Sequence, residues 1–311
     1  PARAPRLPLT LGVALGLLVL WGGAAALGQV GWTRPAGAPL AVGMVQGNID
    51  QADKWDPASF QLTLDRYLGL TAEINARQAD TRLILWPETA IPAFADQVEL
   101  QLLTPLAEQA AARGQDILLG IPVREDSGDY FNAMLNIGAS GRASYSKRHL
   151  VPFGEFMPLD SLLRPLAEVF AIPMSSFTAG AAAQPLVIGG GQPLGISICY
   201  EDAFGAEVRR ALPAATLLVN ASNDAWFGDS LAPHQHLEIA RLRALESGRT
   251  LLRATNTGIS AVIAPDGRLT QTAPQFAPAI LTAQVQPRSG ATPYVRWGDA
   301  PVITLASALL L

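Results

Sequence analysis

The sequence predicts a layered α/β fold, and two observations carry the prediction. Short β-prone apolar segments recur along the middle of the chain, and three amphipathic helical segments interrupt them. Short strands separated by helices favour stacked layers of sheet and helix over an all-β sandwich. The chain has 311 residues, which is long enough to bury a sizeable core. We therefore expect an α/β domain over residues 40–288.

The predicted elements alternate along this region. Helices are predicted, from apolar residues at helical spacing, at 58–77, 100–113 (with Thr104 as an alternative start) and 233–246. Gly114 and Gly248 follow the last two helices at C-cap positions. Strands are predicted at 40–45, 83–86, 117–123, 131–137, 143–147, just before Cys199, 216–220, 250–254, 259–263 and 269–272. Asp266-Gly267 predicts a hairpin turn between the last two strands.

The composition excludes some classes of protein. Charged residues make up 15% of the chain, against about 25% in a typical soluble domain. With 49% hydrophobic residues and a positive mean hydropathy, part of the chain is expected to lie outside water. The net charge of -4 and the absence of a basic run argue against a nucleic-acid partner. The one cysteine cannot form an internal disulfide.

The N-terminal apolar segment predicts a membrane helix. Residues 7–28 carry no charged side chain and are long enough to cross a bilayer. Arg3 and Arg6 precede them, so the domain that follows is expected on the far side of the membrane, the periplasm in a bacterium. A cleaved signal peptide is the competing interpretation, but the apolar run exceeds a usual h-region. Residues 298–311 are expected to begin a further transmembrane helix, as in a fragment of a larger membrane protein.

One apolar insertion, residues 156–177, has two interpretations. Its leucines and other apolar residues recur at helical spacing and form one strongly apolar face. Such a helix either packs into the core or rests on the membrane as an interfacial helix or lid. The sequence leaves both interpretations open.

Three chemically useful residues follow predicted strands. Glu88, Lys147 and Cys199 stand at or just beyond strand ends, where α/β folds keep their active sites. A thiolate attacks carbonyl carbon, a poorly solvated carboxylate accepts the thiol proton, and an ammonium stabilises an oxyanion. Each residue also has an ordinary interpretation: a helix cap for Glu88, a surface charge or a partner of Glu155 for Lys147, and a buried apolar residue for Cys199.

Other motifs give no metal or cofactor site. His234 and His236 are two residues apart, so they do not face each other on a helix, and no further ligand has suitable spacing. Gly189-Gly190-Gly191 lacks the Lys-Ser/Thr of a phosphate-binding loop. Three arginines are assigned to helix solvation or internal ion pairs rather than to a substrate phosphate: Arg241, Arg243 and Arg253. We therefore predict that no metal and no cofactor takes part.

Three motifs carry a family resemblance. Trp86-Pro87-Glu88, Lys147-Arg148-His149-Leu150 and Cys199-Tyr200-Glu201 resemble, in order, the motifs of the carbon-nitrogen hydrolase (nitrilase) superfamily. The stretches 46–48, 147–155 and 222–227 are similar to the bacterial apolipoprotein N-acyltransferases within it. The resemblance implies a nitrilase-like αββα sandwich flanked by transmembrane helices. That family has several spans before the domain, whereas this sequence contains one such segment.

The resemblance also implies roles for individual residues. Cys199 would be the nucleophile, Glu88 the general base and Lys147 the oxyanion stabiliser. Glu155 would orient Lys147 or balance the developing charge. The remaining implied residues shape the pocket (Tyr200 and Glu201), line the substrate entrance (Trp55) or wall an acyl channel (Trp226 and Phe227).

The implied reaction is a two-step acyl transfer. A phospholipid would donate an acyl chain to Cys199, and the α-amino group of a diacylglyceryl-cysteine in an apolipoprotein would accept it from the thioester. The expected place is the bacterial inner membrane, with the catalytic domain on the periplasmic side. Two alternatives remain, a membrane-tethered amidase that hydrolyses its acyl-enzyme and a non-catalytic lipoprotein-binding module.

Overall fold

The computed structural model describes residues 7–158 and 177–310. The apolar insertion predicted as a lid or core helix, 156–177, lies almost entirely outside the described residues.

The described elements follow the predicted order. The helices are α1 (Leu7–Gly28), α2 (Phe60–Arg77), α3 (Thr104–Ala112), α4 (Gly205–Arg209), α5 (Ala232–Ser247), α6 (Pro293–Trp297) and α7 (Ala300–Leu310). The strands are β1 (Thr33–Pro35), β2 (Leu40–Gln46), β3 (Leu83–Leu85), β4 (Asp116–Arg124), β5 (Tyr130–Gly138), β6 (Ala143–Ser146), β7 (Val187–Gly189), β8 (Gln192–Ile198), β9 (Leu217–Ser222), β10 (Leu251–Thr255), β11 (Ala261–Ile263), β12 (Leu269–Thr272), β13 (Ala279–Val285) and β14 (Arg288–Gly290). A π-helical turn at Glu99–Leu103 leads into α3, so helical structure begins close to the earlier of the two predicted starts.

Within the described ranges, most strands form two six-stranded sheets. The first has the order β13-β2-β3-β4-β5-β6 and the second the order β12-β11-β10-β9-β8-β7. The central strands of each sheet, β2 to β4 and β8 to β10, are parallel, and the outer pairs are antiparallel. Parallel central strands require crossover connections, which the helices provide.

The core shows why the sheets stack. Leu83 and Leu85 of β3 pack between the two sheets, while Ile84, whose side chain points the other way, packs towards α2 and α3. In the second sheet Leu217 faces the first sheet, and Leu218 packs against α5. The layers are therefore helix, sheet, sheet and helix, which confirms the predicted αββα sandwich.

The sequence patterns did not predict some of the edge strands. The glycine run that lacks a phosphate-binding motif, Gly189-Gly190-Gly191, includes a turn between two strands. The outermost strand β13 is only partly buried, so it lacks the apolar signal of a core strand, and its pairing with β2 places it in the sheet. Gly190 and Gly191 form the tight turn between β7 and β8, with φ of 60° and 75°. Both residues need the left-handed region, which glycine adopts without steric cost.

Helix α1 does not pack into the domain. Among the described residues it is the one helix long and apolar enough to cross a membrane, over Leu11–Gly28, and its side chains there are exposed. Since none of the described residues buries this segment, it is not a core helix of the described part of the chain, which leaves the two predicted interpretations, a span or a signal sequence.

Candidate active site

The three residues singled out at strand ends meet at one edge of the sandwich. Glu88 follows β3 and Lys147 follows β6 in the first sheet, whereas Cys199 follows β8 in the second. Because β6 is antiparallel to β5 and β5 to β4, β6 runs in the same direction as β3. The site is therefore built from both sheets. The pKa of the Cys199 thiol is affected most by burial, and next by the charges of Glu88 and Lys147.

Lys147 is a buried cation that pairs with both carboxylates of this site, Glu88 and Glu155. It is 1% exposed, and its Nζ lies 2.9 Å from both carboxylate oxygens of Glu155 and 3.4 Å from Oε1 of Glu88. Burial disfavours its charged form, but Glu88, Cys199 and Glu155 together outweigh burial and raise the pKa of Lys147 above its usual range. Lys147 is therefore an ammonium at neutral pH.

Two groups outside the predicted site residues hold Glu88 in place, the side-chain amide of Asn132 and the backbone N–H of Asn223. The side-chain amide of Asn132 donates to Glu88 Oε1 at 2.7 Å and to Glu155 at 2.8 Å. The backbone N–H of Asn223 donates to Glu88 Oε2 at 2.9 Å. Each oxygen of this 6% exposed carboxylate thus has a donor, which fixes its orientation beside Lys147.

Gly120 on β4 is required by the turn that carries Glu88. A Cβ atom at Gly120 would lie 2.3 Å from the backbone oxygen of Pro87 and 2.7 Å from Cα of Glu88. Real Cβ atoms do not approach backbone so closely, so a larger residue at this position would displace the acid. The sequence alone does not reveal this requirement.

Cys199 occupies a strained turn. Strand β8 ends at Ile198, and Cys199 begins a 3-10 turn that runs to Ala203. Its φ of 53° lies in the left-handed region, where a residue with a Cβ is uncommon. Its carbonyl oxygen accepts from the side-chain amide of Asn220 at 2.9 Å and contacts Nε2 of His236 at 3.1 Å.

The thiol is protonated at rest. Burial raises the pKa of Cys199 to about 12, with the Glu88 carboxylate acting in the same direction and the Lys147 ammonium opposing it. A protonated thiol is a poor nucleophile, so its proton has to leave when it attacks. The buried Glu88 carboxylate lies close enough to the thiol for its charge to raise the thiol pKa.

Glu201 and Tyr200 connect the Cys199 turn to the Lys147 loop. The buried Glu201 carboxylate accepts from the backbone N–H groups of Arg148, His149 and Ile198 at 2.7 to 3.0 Å. The hydroxyl of Tyr200 donates to the carbonyl of Leu150, and its ring centroid lies 5.8 Å from Nζ of Lys147. Glu201 therefore faces the protein interior, while Tyr200 lies beside the ammonium.

The aromatic residues predicted to line the substrate entrance (Trp55) or to wall an acyl channel (Trp226 and Phe227) are exposed. Trp226 is 74% exposed, and Trp55 and Phe227 also lie open to solvent. Trp226 and Phe227 belong to the 3-10 turn Asp224–Phe227, whose N-cap Asn223 contacts Glu88. Trp55 directly follows Lys54, which also contacts Glu88. All three therefore border segments that build the site.

Lys54 is a second buried cation at the site, and no pattern in the sequence indicates it. It is 4% exposed although its neighbours Asp53 and Trp55 are exposed, and its Nζ donates to the backbone carbonyl of Glu88 at 3.3 Å. Burial lowers its pKa to about 8, against the opposing effects of Glu88 and Cys199. A single lysine in a loop, between Asp53 and Trp55, has no sequence signal that distinguishes it from a surface lysine.

We expect Lys54→Met to slow alkylation of Cys199 by iodoacetamide while leaving stability unchanged or higher. A lowered lysine pKa means that folding disfavours the ammonium, so wild-type stability should rise with pH between about 8 and 10.5. The variant lacks this cost, but it also lacks a cation near the thiolate, which is worth about 100-fold in rate. Chemical denaturation from pH 7 to 10 and the rate of iodoacetamide alkylation measure the two effects. Asp53→Asn, at an exposed neighbour, is the control, and a Lys54→Met protein with the wild-type rate would contradict the expectation.

Of the two histidines rejected as metal ligands, His236 has other partners. His234 is exposed and His236 is buried, and both ring nitrogens of His236 contact carboxylates. Arg253 forms an internal ion pair with Asp224 at 2.9 Å, as predicted. In the parts of the chain that the structure describes, no group of three or more His, Cys, Asp or Glu residues is arranged to hold a metal ion.

Comparisons with solved structures agree with the fold. The chain is similar to Nit3 of Saccharomyces cerevisiae, a member of the nitrilase superfamily, with a TM-score of 0.60 and 18% identity over 85% of this chain and 94% of that one. It is also similar to a nitrilase-superfamily amidase from Nesterenkonia, with a TM-score of 0.59 and 19% identity over 88% and 98% of the two chains. At these identities the likeness establishes the fold.

Comparisons with curated sequences are closer. The chain is 48% identical over 298 residues to an apolipoprotein N-acyltransferase of Methylococcus capsulatus and 44% identical to one of Nitrosomonas europaea. These matches cover 95% and 96% of this chain but 58% and 59% of the relatives. The carbon-nitrogen hydrolase family model matches residues 41–294, which include Glu88, Lys147 and Cys199. This chain therefore belongs to the carbon-nitrogen hydrolase family.

Proposed function

We propose that the protein is an apolipoprotein N-acyltransferase, which moves an acyl chain from a phospholipid through a Cys199 thioester to the N-terminal amine of a diacylglyceryl apolipoprotein. A buried acid, ammonium and thiol support any acyl-thioester chemistry. The observation that favours transfer over hydrolysis is the 48% identity with a relative of that name.

In the first step, the thiol of Cys199 adds to the carbonyl carbon of a phospholipid acyl ester. The thiol proton passes to Glu88 as the carbon-sulfur bond forms, and the oxyanion of the tetrahedral intermediate is stabilised by Lys147. The ester carbon-oxygen bond then breaks, and Glu88 returns the proton to the departing lysophospholipid oxygen. Cys199 is left as an acyl thioester.

In the second step, the α-amino group of the acceptor adds to the thioester carbonyl. Glu88 accepts a proton from the amine, Lys147 again stabilises the oxyanion, and the carbon-sulfur bond breaks to form the amide. The proton on Glu88 returns to the Cys199 sulfur. The same acid and ammonium therefore serve both steps, and no external reductant, oxidant or cofactor is needed.

The thioester has to persist until the acceptor arrives, so water must be kept from it. The exposed aromatic side chains of Trp55, Trp226 and Phe227 have the chemistry to contact acyl chains beside the entrance. We place the protein in the bacterial inner membrane with its catalytic domain on the periplasmic side. The exposed apolar helix α1 and the two arginines before it support this placement.

Intact-mass analysis after incubation with phospholipid vesicles tests the function. The chain has one cysteine, so a thioester on a cysteine can form only at Cys199. We expect a mass increase equal to one acyl chain, which hydroxylamine removes and which a diacylglyceryl-cysteine peptide discharges with formation of acylated peptide. Prompt appearance of free fatty acid without the acceptor would instead support the amidase alternative. Absence of any adduct, with the peptide bound, would support a non-catalytic binding module.

A further inference from the structure

A second group of buried charged side chains contacts the main chain of the nucleophile. It consists of His236 on α5, Asp202 and Asp224 in the turns after β8 and β9, and Arg253 on β10. Asp202 and Arg253 are fully buried and His236 is 6% exposed. The proposed transfer mechanism uses none of these four side chains. Burying a charged group costs free energy unless an opposite charge or hydrogen bonds compensate for it.

The contacts of His236 determine its protonation state. Nδ1 lies 3.2 Å from Oδ1 of Asp224, and Nε2 lies 3.0 Å from Oδ1 of Asp202 and 3.1 Å from the carbonyl oxygen of Cys199. Carboxylate and carbonyl oxygens accept hydrogen bonds and cannot donate them. Both ring nitrogens must therefore carry a proton, which makes the ring an imidazolium.

The surrounding charges agree with this assignment. Asp202 and Asp224 face the ring from two turns, and Arg253 faces the same carboxylates from β10, 2.9 Å from Asp224 and 3.7 Å from Asp202. Burial and Arg253 lower the pKa of His236, but the two carboxylates outweigh them and raise it to about 9. With His236 protonated, the four side chains carry two negative and two positive charges.

His236 acts on Cys199 by two routes. Directly, it donates to the carbonyl oxygen of Cys199, the residue whose φ of 53° is strained. Indirectly, it holds Asp224, whose Oδ1 accepts from the hydroxyl of Ser222 at 2.6 Å. That hydroxyl in turn interacts with the Cys199 thiol. A strained backbone conformation persists only where surrounding contacts hold it.

We propose that His236 is a positioning residue that, as an imidazolium, holds Cys199 in its left-handed turn with its sulfur beside Lys147. A neutral ring would present a lone pair to a carboxylate or to the Cys199 carbonyl, and the turn would relax. Acylation should therefore fall as the pH rises through the pKa of His236. The consequence for acyl transfer rests on the proposed function, whereas the protonation state and the reactivity of the thiol do not.

Nitrogen-15 NMR of histidine-labelled wild-type protein tests the protonation state. The chain has three histidines, and the variants His234→Gln and His149→Gln identify the signals of the other two. We expect both ring nitrogens of His236 to show protonated shifts at pH 7 and to titrate near pH 9. A neutral tautomer at pH 7 would overturn the proposal.

Alkylation of the one cysteine by iodoacetamide tests the positioning without any substrate. We expect His236→Gln to slow alkylation at pH 7 by about 10- to 100-fold, because a sulfur displaced from Lys147 loses the stabilisation of its thiolate. Acyl-thioester formation should slow by a similar factor at unchanged KM for the phospholipid. His234→Gln, an exposed histidine on the same helix, should match the wild type in both assays.

The outcomes separate the proposals. Wild-type rates of alkylation in His236→Gln would overturn the positioning role. Slow alkylation in that variant, together with a wild-type protein that never forms an acyl thioester, would support the role of His236 and contradict the acyltransferase function. If His236→Gln does not fold, the wild-type protein decides the question. Its rate of acylation, or of alkylation if no thioester forms, must then break at the NMR midpoint of His236, and a profile without this break would overturn the proposal.

Discussion

Cys199→Ala is expected to abolish thioester formation and to reduce acyl transfer by at least about 10⁴-fold, the scale seen when a covalent nucleophile is removed. The remaining site retains Glu88 and Lys147, but an acid and an ammonium cannot form the acyl-enzyme without the sulfur. Intact mass after exposure to phospholipid vesicles measures the first loss. Complementation of cells depleted of their own acyltransferase measures the second.

Cys199→Gly is the matched comparison for this prediction. Glycine adopts the left-handed region without the penalty of a Cβ, so this variant should be inactive and also more stable than Cys199→Ala, by about 1 kcal/mol. Equal stability of the two variants would show that the turn stores no strain at Cys199. Full complementation by Cys199→Ala would show that the protein acts without covalent catalysis, as the binding-module alternative requires.

Lys147→Met is expected to have the largest effect on stability together with a severe loss of activity. It leaves two buried carboxylates, Glu88 and Glu155, without their cation, which typically costs about 3–5 kcal/mol of unfolding free energy. Because the pKa of Lys147 is raised in the folded protein, its stabilising contribution is fully present below the unfolded value of 10.5 and is lost only at higher pH. Acylation should slow by about 10²- to 10³-fold through loss of oxyanion stabilisation.

Denaturant unfolding at several pH values tests this expectation. The stabilisation that Lys147 provides should be constant between pH 7 and pH 9, because the raised pKa of Lys147 keeps it an ammonium throughout this range. Adding Glu155→Gln should restore part of the stability and none of the activity, since one buried charge is removed and the oxyanion still has no ammonium. A double variant that regained activity would show that Lys147 serves only to neutralise Glu155.

Motifs in the sequence predict three residues of this site, which the amino-acid composition alone does not indicate. Glu88, Lys147 and Cys199 were recognisable because each follows a β-prone segment and stands in a motif that resembles one family. The strand order could not be predicted in the same way. The partly exposed edge strand β13 lacks a periodic apolar pattern, and its pairing with β2 involves residues distant along the chain.

The supporting residues depended on the tertiary structure. Lys54 and Asn132 lie in segments without a recognised motif, and they reach Glu88 through the order of the strands in the first sheet. Asn223 follows a strand of the second sheet, so it reaches Glu88 only where the two sheets stack. In the sequence, His236 is a candidate metal ligand because histidine is the commonest metal-binding side chain. Its contacts with two carboxylates and a backbone carbonyl assign it instead to the support of Cys199.

The sequence by itself determined the layered α/β class, the apolar N-terminal helix, the family and the three residues at the strand ends, because these properties depend on local periodicity and on contiguous motifs. Only the tertiary structure decided that the acid and the ammonium come from one sheet and the thiol from the other. It also decided which buried groups fix their charges. Burial and charge pairing are set by neighbours far apart along the chain, and the pKa values of Lys147, Cys199 and His236 follow from those neighbours.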